Sequence, residues 1–89
     1  MRAVITVIGK DTVGITAKVS AACAQNGANI IDITQKVLQE LFVMIMIVET
    51  DHLTVKFTEF VDSMEKTGKD ANLEIHVMHE DIFNAMHTI

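Results

Sequence analysis

Residues 4–33 read VITVIGKDTVGITAKVSAACAQNGANIIDI, and this stretch decides the fold. Its opening run is rich in β-branched residues and apolar at both odd and even positions, as expected for a strand buried on two faces. Apolar residues then recur at helical spacing over residues 13–25. Asp11 or Thr12 is expected to cap this helix, and the Asn-Gly pair at 26–27 to end it. The stretch therefore predicts a strand, a helix and the start of a second strand.

Five further segments complete the chain. Residues 29–39 alternate apolar and polar side chains, which predicts an edge strand, whereas residues 41–49 are almost wholly apolar and predict a central strand joined to it by a tight hairpin. Apolar residues at helical spacing over 53–64 predict a second helix. Residues 73–77 alternate again and predict another edge strand, and residues 81–87 predict a short last helix.

The predicted order is strand, helix, strand, strand, helix, strand. With right-handed crossovers it gives an α+β, ferredoxin-like βαββαβ sandwich, in which an antiparallel four-stranded sheet of order 4-1-3-2 carries two helices on one face. This order places the two apolar segments in the middle and the two alternating segments at the edges. We expect one domain over residues 1–79 and a helical extension over residues 80–89.

Residue parity predicts which side chains face the two helices. Ten odd-numbered strand residues are all apolar and are expected to face the helices: Ile5, Val7, Ile31, Ile33, Val43, Ile45, Ile47, Leu73, Ile75 and Val77. The other face then has an apolar centre that includes Phe42, Met44 and Met46, and a polar rim that includes His76. Because such a face seldom stays bare, these four residues are the predicted interface, covered by the last helix, a second copy or both. Core packing is the alternative role for the two methionines.

Composition excludes several classes of partner. Seven basic and twelve acidic residues give a net charge of -5, which disfavours binding to nucleic acid. The single cysteine, Cys23, allows no internal disulfide and suits a reducing compartment. The longest apolar run is too short to cross a bilayer, and the first one does not resemble a secretory leader. We expect a cytoplasmic protein without membrane contact.

Catalytic and metal-binding groupings are not apparent in the sequence. No nucleophile-histidine set, phosphate-binding glycine loop or paired carboxylates stand out, so an enzyme is disfavoured. His76 and His79 lie three apart on a predicted strand, where their side chains point to opposite faces. We therefore predict no metal site and no cofactor. Cys23 is expected to be a small core residue.

Two short motifs resemble the opening of an ACT domain, the small regulatory module attached to many enzymes of amino-acid metabolism. The first is DTVGI at residues 11–15, and the second is NGANI at residues 26–30. The ending at residues 79–87 is similar to that of stand-alone small ACT-domain proteins, which resemble halves of the glycine cleavage system repressor. The resemblance implies a homo-oligomer, most simply a homodimer, that binds an amino acid at the seam between subunits. The implied ligand-binding residues are Asp11, Thr12, Val13, Gly14, Asn29 and Ile30.

Each of the main residues in this set has a binding role and a structural alternative. Asp11 can hold an ammonium group or cap the helix, and Asn29 can bond the ligand or form a turn. Gly14 lets a carboxylate approach the helix N-terminus or merely satisfies the backbone. The predicted function is a regulatory amino-acid-binding module that acts through a protein partner. A ligand-free oligomerisation or scaffold domain is the alternative.

Overall fold

The computed structural model describes residues 1–86, which form four strands and three helices. The elements are β1 (Arg2–Lys10), α1 (Ile15–Gln25), β2 (Asn29–Leu38), β3 (Leu41–Glu49), α2 (Phe57–Asp70), β4 (Leu73–His79) and α3 (Glu80–Met86). The sheet has the order β2-β3-β1-β4, and every neighbouring pair is antiparallel. The predicted fold, strand order and edge strands are confirmed. His87, which the sequence assigns to the last helix, lies outside the described residues.

The core lies between one face of the sheet and helices α1 and α2. On β1 the odd-numbered residues face it, as predicted, and Ile5 and Val7 are fully buried. On β3 the prediction is wrong, because the even-numbered residues are the buried ones: Phe42, Met44, Met46 and Val48. The register explains the reversal, since Ile5 lies opposite Met46 and directly opposed residues share a face. Odd and even numbering is therefore not preserved from one strand to the next.

The opposite side of the sheet, here called the open face, has an apolar centre and a polar rim. Its centre is formed by Ile8, Val43, Ile45 and Ile47, and its rim by Asp32, Thr34, Lys36, Glu74 and His76. Helix α3 contacts β1 and β4. Val4 lies at the end of the open face where α3 begins, and it is only 2% exposed. The rest of the face is not covered, and Ile45 is 39% exposed. Phe42, Met44 and Met46 are buried in the core, so their predicted placement on this face is wrong.

The two long helices begin later than predicted. Helix α1 begins at Ile15 with Gly14 as its N-cap, so neither Asp11 nor Thr12 caps it. Helix α2 begins at Phe57, because the preceding segment packs across the end of α1, where the Thr54 amide donates to the Asn26 carbonyl at 3.0 Å. Gly27 is required beneath this segment, since it has a φ of 78° and a Cβ there would lie 2.3 Å from the His52 carbonyl oxygen.

Candidate functional site

The first loop, residues 11–14, leaves the N-terminus of α1 open. All four of its residues are exposed, and Val13 is fully so. Gly14 has a φ of 87°, and within residues 1–86 no side chain caps the helix. A Cβ built on Gly14 would meet no atom within 4 Å. The first turn of α1 therefore presents backbone N–H groups and the positive end of its dipole to an open space.

The loop is anchored to the hairpin that joins β2 and β3. The Asp11 backbone N–H donates to the Glu40 carbonyl at 2.8 Å, within the two-residue turn of that hairpin. In the first turn of α1, the Thr16 hydroxyl donates to the Gln35 side-chain oxygen of β2 at 3.0 Å. These contacts fix the backbone of the loop, while the Asp11 side chain extends into solvent.

The second predicted half of the site lies at the start of β2. Asn29 is exposed and pairs with Glu49, and Ile30 is half-buried and pairs with Val48. The preceding turn is held by Asn26, whose side-chain amide donates to the Ala22 carbonyl at 2.8 Å. The turn thus has its own structural asparagine, and Asn29 belongs to the strand.

The two halves of the predicted site do not meet within one chain. Lys10, just before the first loop, lies opposite Leu41, whereas Asn29 lies opposite Glu49 at the other end of β3. Eight residue steps separate Leu41 from Glu49, which is about 26 Å along a strand. A ligand the size of an amino acid cannot span this distance. The sequence shows both motifs, but their separation follows from the direction of β2, which runs parallel to β1.

The free edge of β2 lies between these two ends. The alternating sequence predicts that β2 is an edge strand, but it does not predict which of its backbone amides face outward. Leu38 and Leu41 close the two-residue turn and so form a hydrogen-bonded pair. Backbone alternation then directs the amides of Ile33, Gln35 and Val37 away from β3. The Ile33 N–H accordingly donates to the Asp32 side chain at 2.9 Å.

Other chemically interesting residues lie away from the first loop. Cys23 is buried, and burial raises the pKa of its thiol to about 11, which leaves it protonated and unreactive. His76 lies between two carboxylates, 3.4 Å from Glu74 and 3.9 Å from Glu65. Across residues 1–86 no three such side chains form a metal-binding group. In the same span no helix is long and apolar enough to cross a membrane.

Grooves on the single chain lie elsewhere as well. One runs between α1 and α2 and is lined by Lys18, Gln25, Thr67 and Asp70. Another lies at the start of β4 and is lined by Lys69 and Glu74 among others. Neither of these two grooves includes a residue of the first loop or the start of β2.

Comparison with known proteins identifies the family. The ACT domain family model matches residues 2–78. A UPF0237 protein of Methanococcus maripaludis is 45% identical over 86 residues, which are 97% of this chain and 96% of the relative. The solved structure of an ACT domain protein from Streptococcus pneumoniae has a TM-score of 0.82 and 42% identity, and the match covers 98% of both chains.

A more distant structure bears on the second resemblance. A putative glycine cleavage system transcriptional repressor has a TM-score of 0.73 at 24% identity, and the match covers 89% of this chain and 47% of the repressor. At that identity the likeness shows the fold alone, and it spans about half of the larger chain.

The fold is thus a ferredoxin-like sandwich whose first helix opens on a glycine. The chain belongs to the ACT domain family, whose members are regulatory ligand-binding modules that often bind amino acids. The resemblance drawn from residues 11–15 and 26–30 is confirmed.

Proposed function

We propose that the protein is a regulatory module that binds an amino acid at the seam between two copies of the chain. The observation that carries the proposal is the distance of about 26 Å between the first loop and Asn29, estimated from eight strand steps along β3. If both halves contact one small ligand, they come from different chains.

Antiparallel pairing of two β2 strands supplies the required geometry. In such a pair, the end of one strand lies beside the start of the other. The start of β2 carries Asn29, and its end leads into the hairpin turn that accepts the Asp11 amide. Each seam then has Asp11 and Gly14 from one copy and Asn29 from the other, and a two-fold axis creates two equivalent sites.

The chemistry of the first loop suits an amino acid. The uncapped first turn of α1 offers N–H donors to a carboxylate, and Gly14 leaves space for it to approach. The exposed Asp11 carboxylate can accept hydrogen bonds from an ammonium group. The amide of the second copy's Asn29 can bond either group. Val13 is exposed and can contact the ligand side chain or the second copy.

The regulatory output in this proposal passes through a protein partner in the cytoplasm. The net charge of -5 argues against direct contact with nucleic acid. Ligand that bridges the two copies stabilises one arrangement of the pair, and a partner that recognises this arrangement responds to the amino acid.

The direct experiment is a thermal-shift screen with the twenty amino acids, followed by calorimetric titration of the hits. A ligand at 100 times its Kd stabilises the folded pair by about 2.7 kcal/mol. Asp11→Asn and Asn29→Ala should each abolish the shift, whereas Asp70→Asn, on the exposed end of α2, should retain it. Self-association with no stabilisation by any amino acid would refute the sensor and favour the ligand-free scaffold.

A further inference from the structure

We infer that Asp32 and Lys36 set the register of the β2 pair, with the Lys36 side chain of each copy bonded to Asp32 of the other. The inference rests on the proposed function, since it concerns how the two copies meet. It adds the residues that select one alignment of the two edges over its neighbours.

The argument begins with the outward amides of β2. The amides of Ile33 and Gln35 face away from β3. If a second β2 pairs antiparallel so that the two Thr34 residues lie opposite each other, Ile33 lies opposite Gln35 of the second copy as a hydrogen-bonded pair. Thr34 then faces its own copy, and Lys36 faces Asp32 of the second copy. These last two are non-hydrogen-bonded pairs, in which the side chains lie closest.

The side chains of Asp32, Thr34 and Lys36 all lie on the open face. The register centred on Thr34 places each of them opposite a side chain that it can bond. The two Lys36–Asp32 pairs have opposite charge, and the pair of Thr34 residues can exchange hydrogen bonds. A shift of the centre to Gln35 moves Lys36 opposite Thr34 and Asp32 opposite Leu38. A shift to Ile33, with the β-bulge between Ile30 and Asp32 counted, moves Lys36 opposite Asn29. Only the register centred on Thr34 pairs the charges.

Asp32 also has a role in the isolated chain. Its carboxylate accepts the Ile33 N–H at 2.9 Å, which occupies one donor of the free edge. When the second copy pairs, that N–H bonds the Gln35 carbonyl of the other copy, and the released carboxylate bonds the ammonium of the other copy's Lys36. Both Asp32 and the edge amide therefore exchange one partner for another.

The same register completes the ligand site. A β-bulge lies between Ile30 and Asp32, so Asn29 is two steps, not three, before Asp32 in the pairing sequence. Counting from the pair of Asp32 and Lys36 places the second copy's Asn29 opposite Leu38. Leu38 is adjacent to the hairpin turn whose Glu40 carbonyl accepts the Asp11 amide. The charge pair thus aligns Asn29 with the first loop.

Charge reversal with rescue tests the inference, by sedimentation velocity over a dilution series at low salt. Asp32→Lys and Lys36→Asp each place two like-charge pairs in the seam and should raise the dimer Kd at least tenfold. The double variant, with both charges exchanged, should return to within about threefold of the original Kd. Within one chain the two side chains are about 13 Å apart, so rescue cannot arise there.

Lys66→Asp, an exposed reversal on α2, is the matched control and should leave the Kd unchanged. Single variants that dimerise normally, or a double variant no better than the singles, would overturn the register. If amino-acid binding persists in that case, the proposed function stands without it. Charge rescue without binding of any amino acid would instead support the register and refute the ligand site. A wild-type chain that stays monomeric at all concentrations would refute both.

Discussion

Replacing Met44 by Asp tests whether Met44 faces the core and its neighbour Ile45 faces the open side of the sheet, as the structure shows for β3. Met44 is 1% exposed in the core, and the substitution removes about 2 kcal/mol of apolar burial. It also adds a carboxyl group with no partner, at a further cost of several kcal/mol. The sum, about 5 kcal/mol or more, is comparable with the whole stability of about 4–13 kcal/mol expected for 89 residues. Met44→Asp should therefore unfold the chain.

Ile45→Asp is the matched control, because Ile45 is 39% exposed on the open face and should lose about 1 kcal/mol. Urea unfolding followed by circular dichroism at one fixed protein concentration measures both effects. If Met44→Asp yields no folded protein, the pair Met44→Ala and Ile45→Ala gives the same comparison, with about 2–5 kcal/mol expected for the buried methionine. A folded Met44→Asp chain with a destabilised Ile45→Asp chain would refute the facing described for β3.

Two further predictions concern the β2 edge and the buried thiol. Val37→Pro removes a backbone amide that faces away from β3, so it should leave the fold intact and raise the dimer Kd. Val37→Thr keeps the amide and should dimerise normally in sedimentation velocity. Equal Kd values for the two variants would exclude β2 pairing. Burial raises the pKa of Cys23 from 9.0 to about 11, so the folded state retains a proton that the unfolded state loses. The contribution of the buried Cys23 thiol to the free energy of unfolding is fully present below pH 9. The free energy of unfolding should then fall by about 2–3 kcal/mol as the pH approaches 11. Urea unfolding of wild type and Cys23→Ala across this range isolates the effect, and parallel curves would contradict it.

The sequence predicts the strand order because the central and edge strands differ in composition. The segments that became β1 and β3 are apolar at both parities, and those that became β2 and β4 alternate, which matches their positions in the sheet. The face of β3 was not predictable on the same basis. Phe42, Met44 and Met46 are as apolar as Val43, Ile45 and Ile47, and the hairpin register, which sequence parity does not encode, selects the first set for the core.

The candidate site was only partly predictable. Its residues follow from the two motifs around α1, but the cap does not, because Gly14 adopts a left-handed conformation that starts the helix without a side chain. The separation of Asp11 from Asn29 is a property of the three-dimensional arrangement. Both flank the same helix in sequence. Asp11 follows the end of β1 and Asn29 starts β2, so the parallel direction of these two strands places them at opposite ends of the sheet.

Subunit complementation tests most directly whether one site is built from two chains. Asp11→Asn and Asn29→Ala each damage both seams of a homodimer, and neither variant alone should bind the amino acid found in the screen. In a heterodimer of the two, one seam has Asp11 from one chain and Asn29 from the other, both intact. Unfolding, refolding and calorimetric titration of an equal mixture should therefore restore about one quarter of the wild-type sites with wild-type affinity, by random pairing. An equal mixture that binds no more ligand than either variant alone would contradict the shared site.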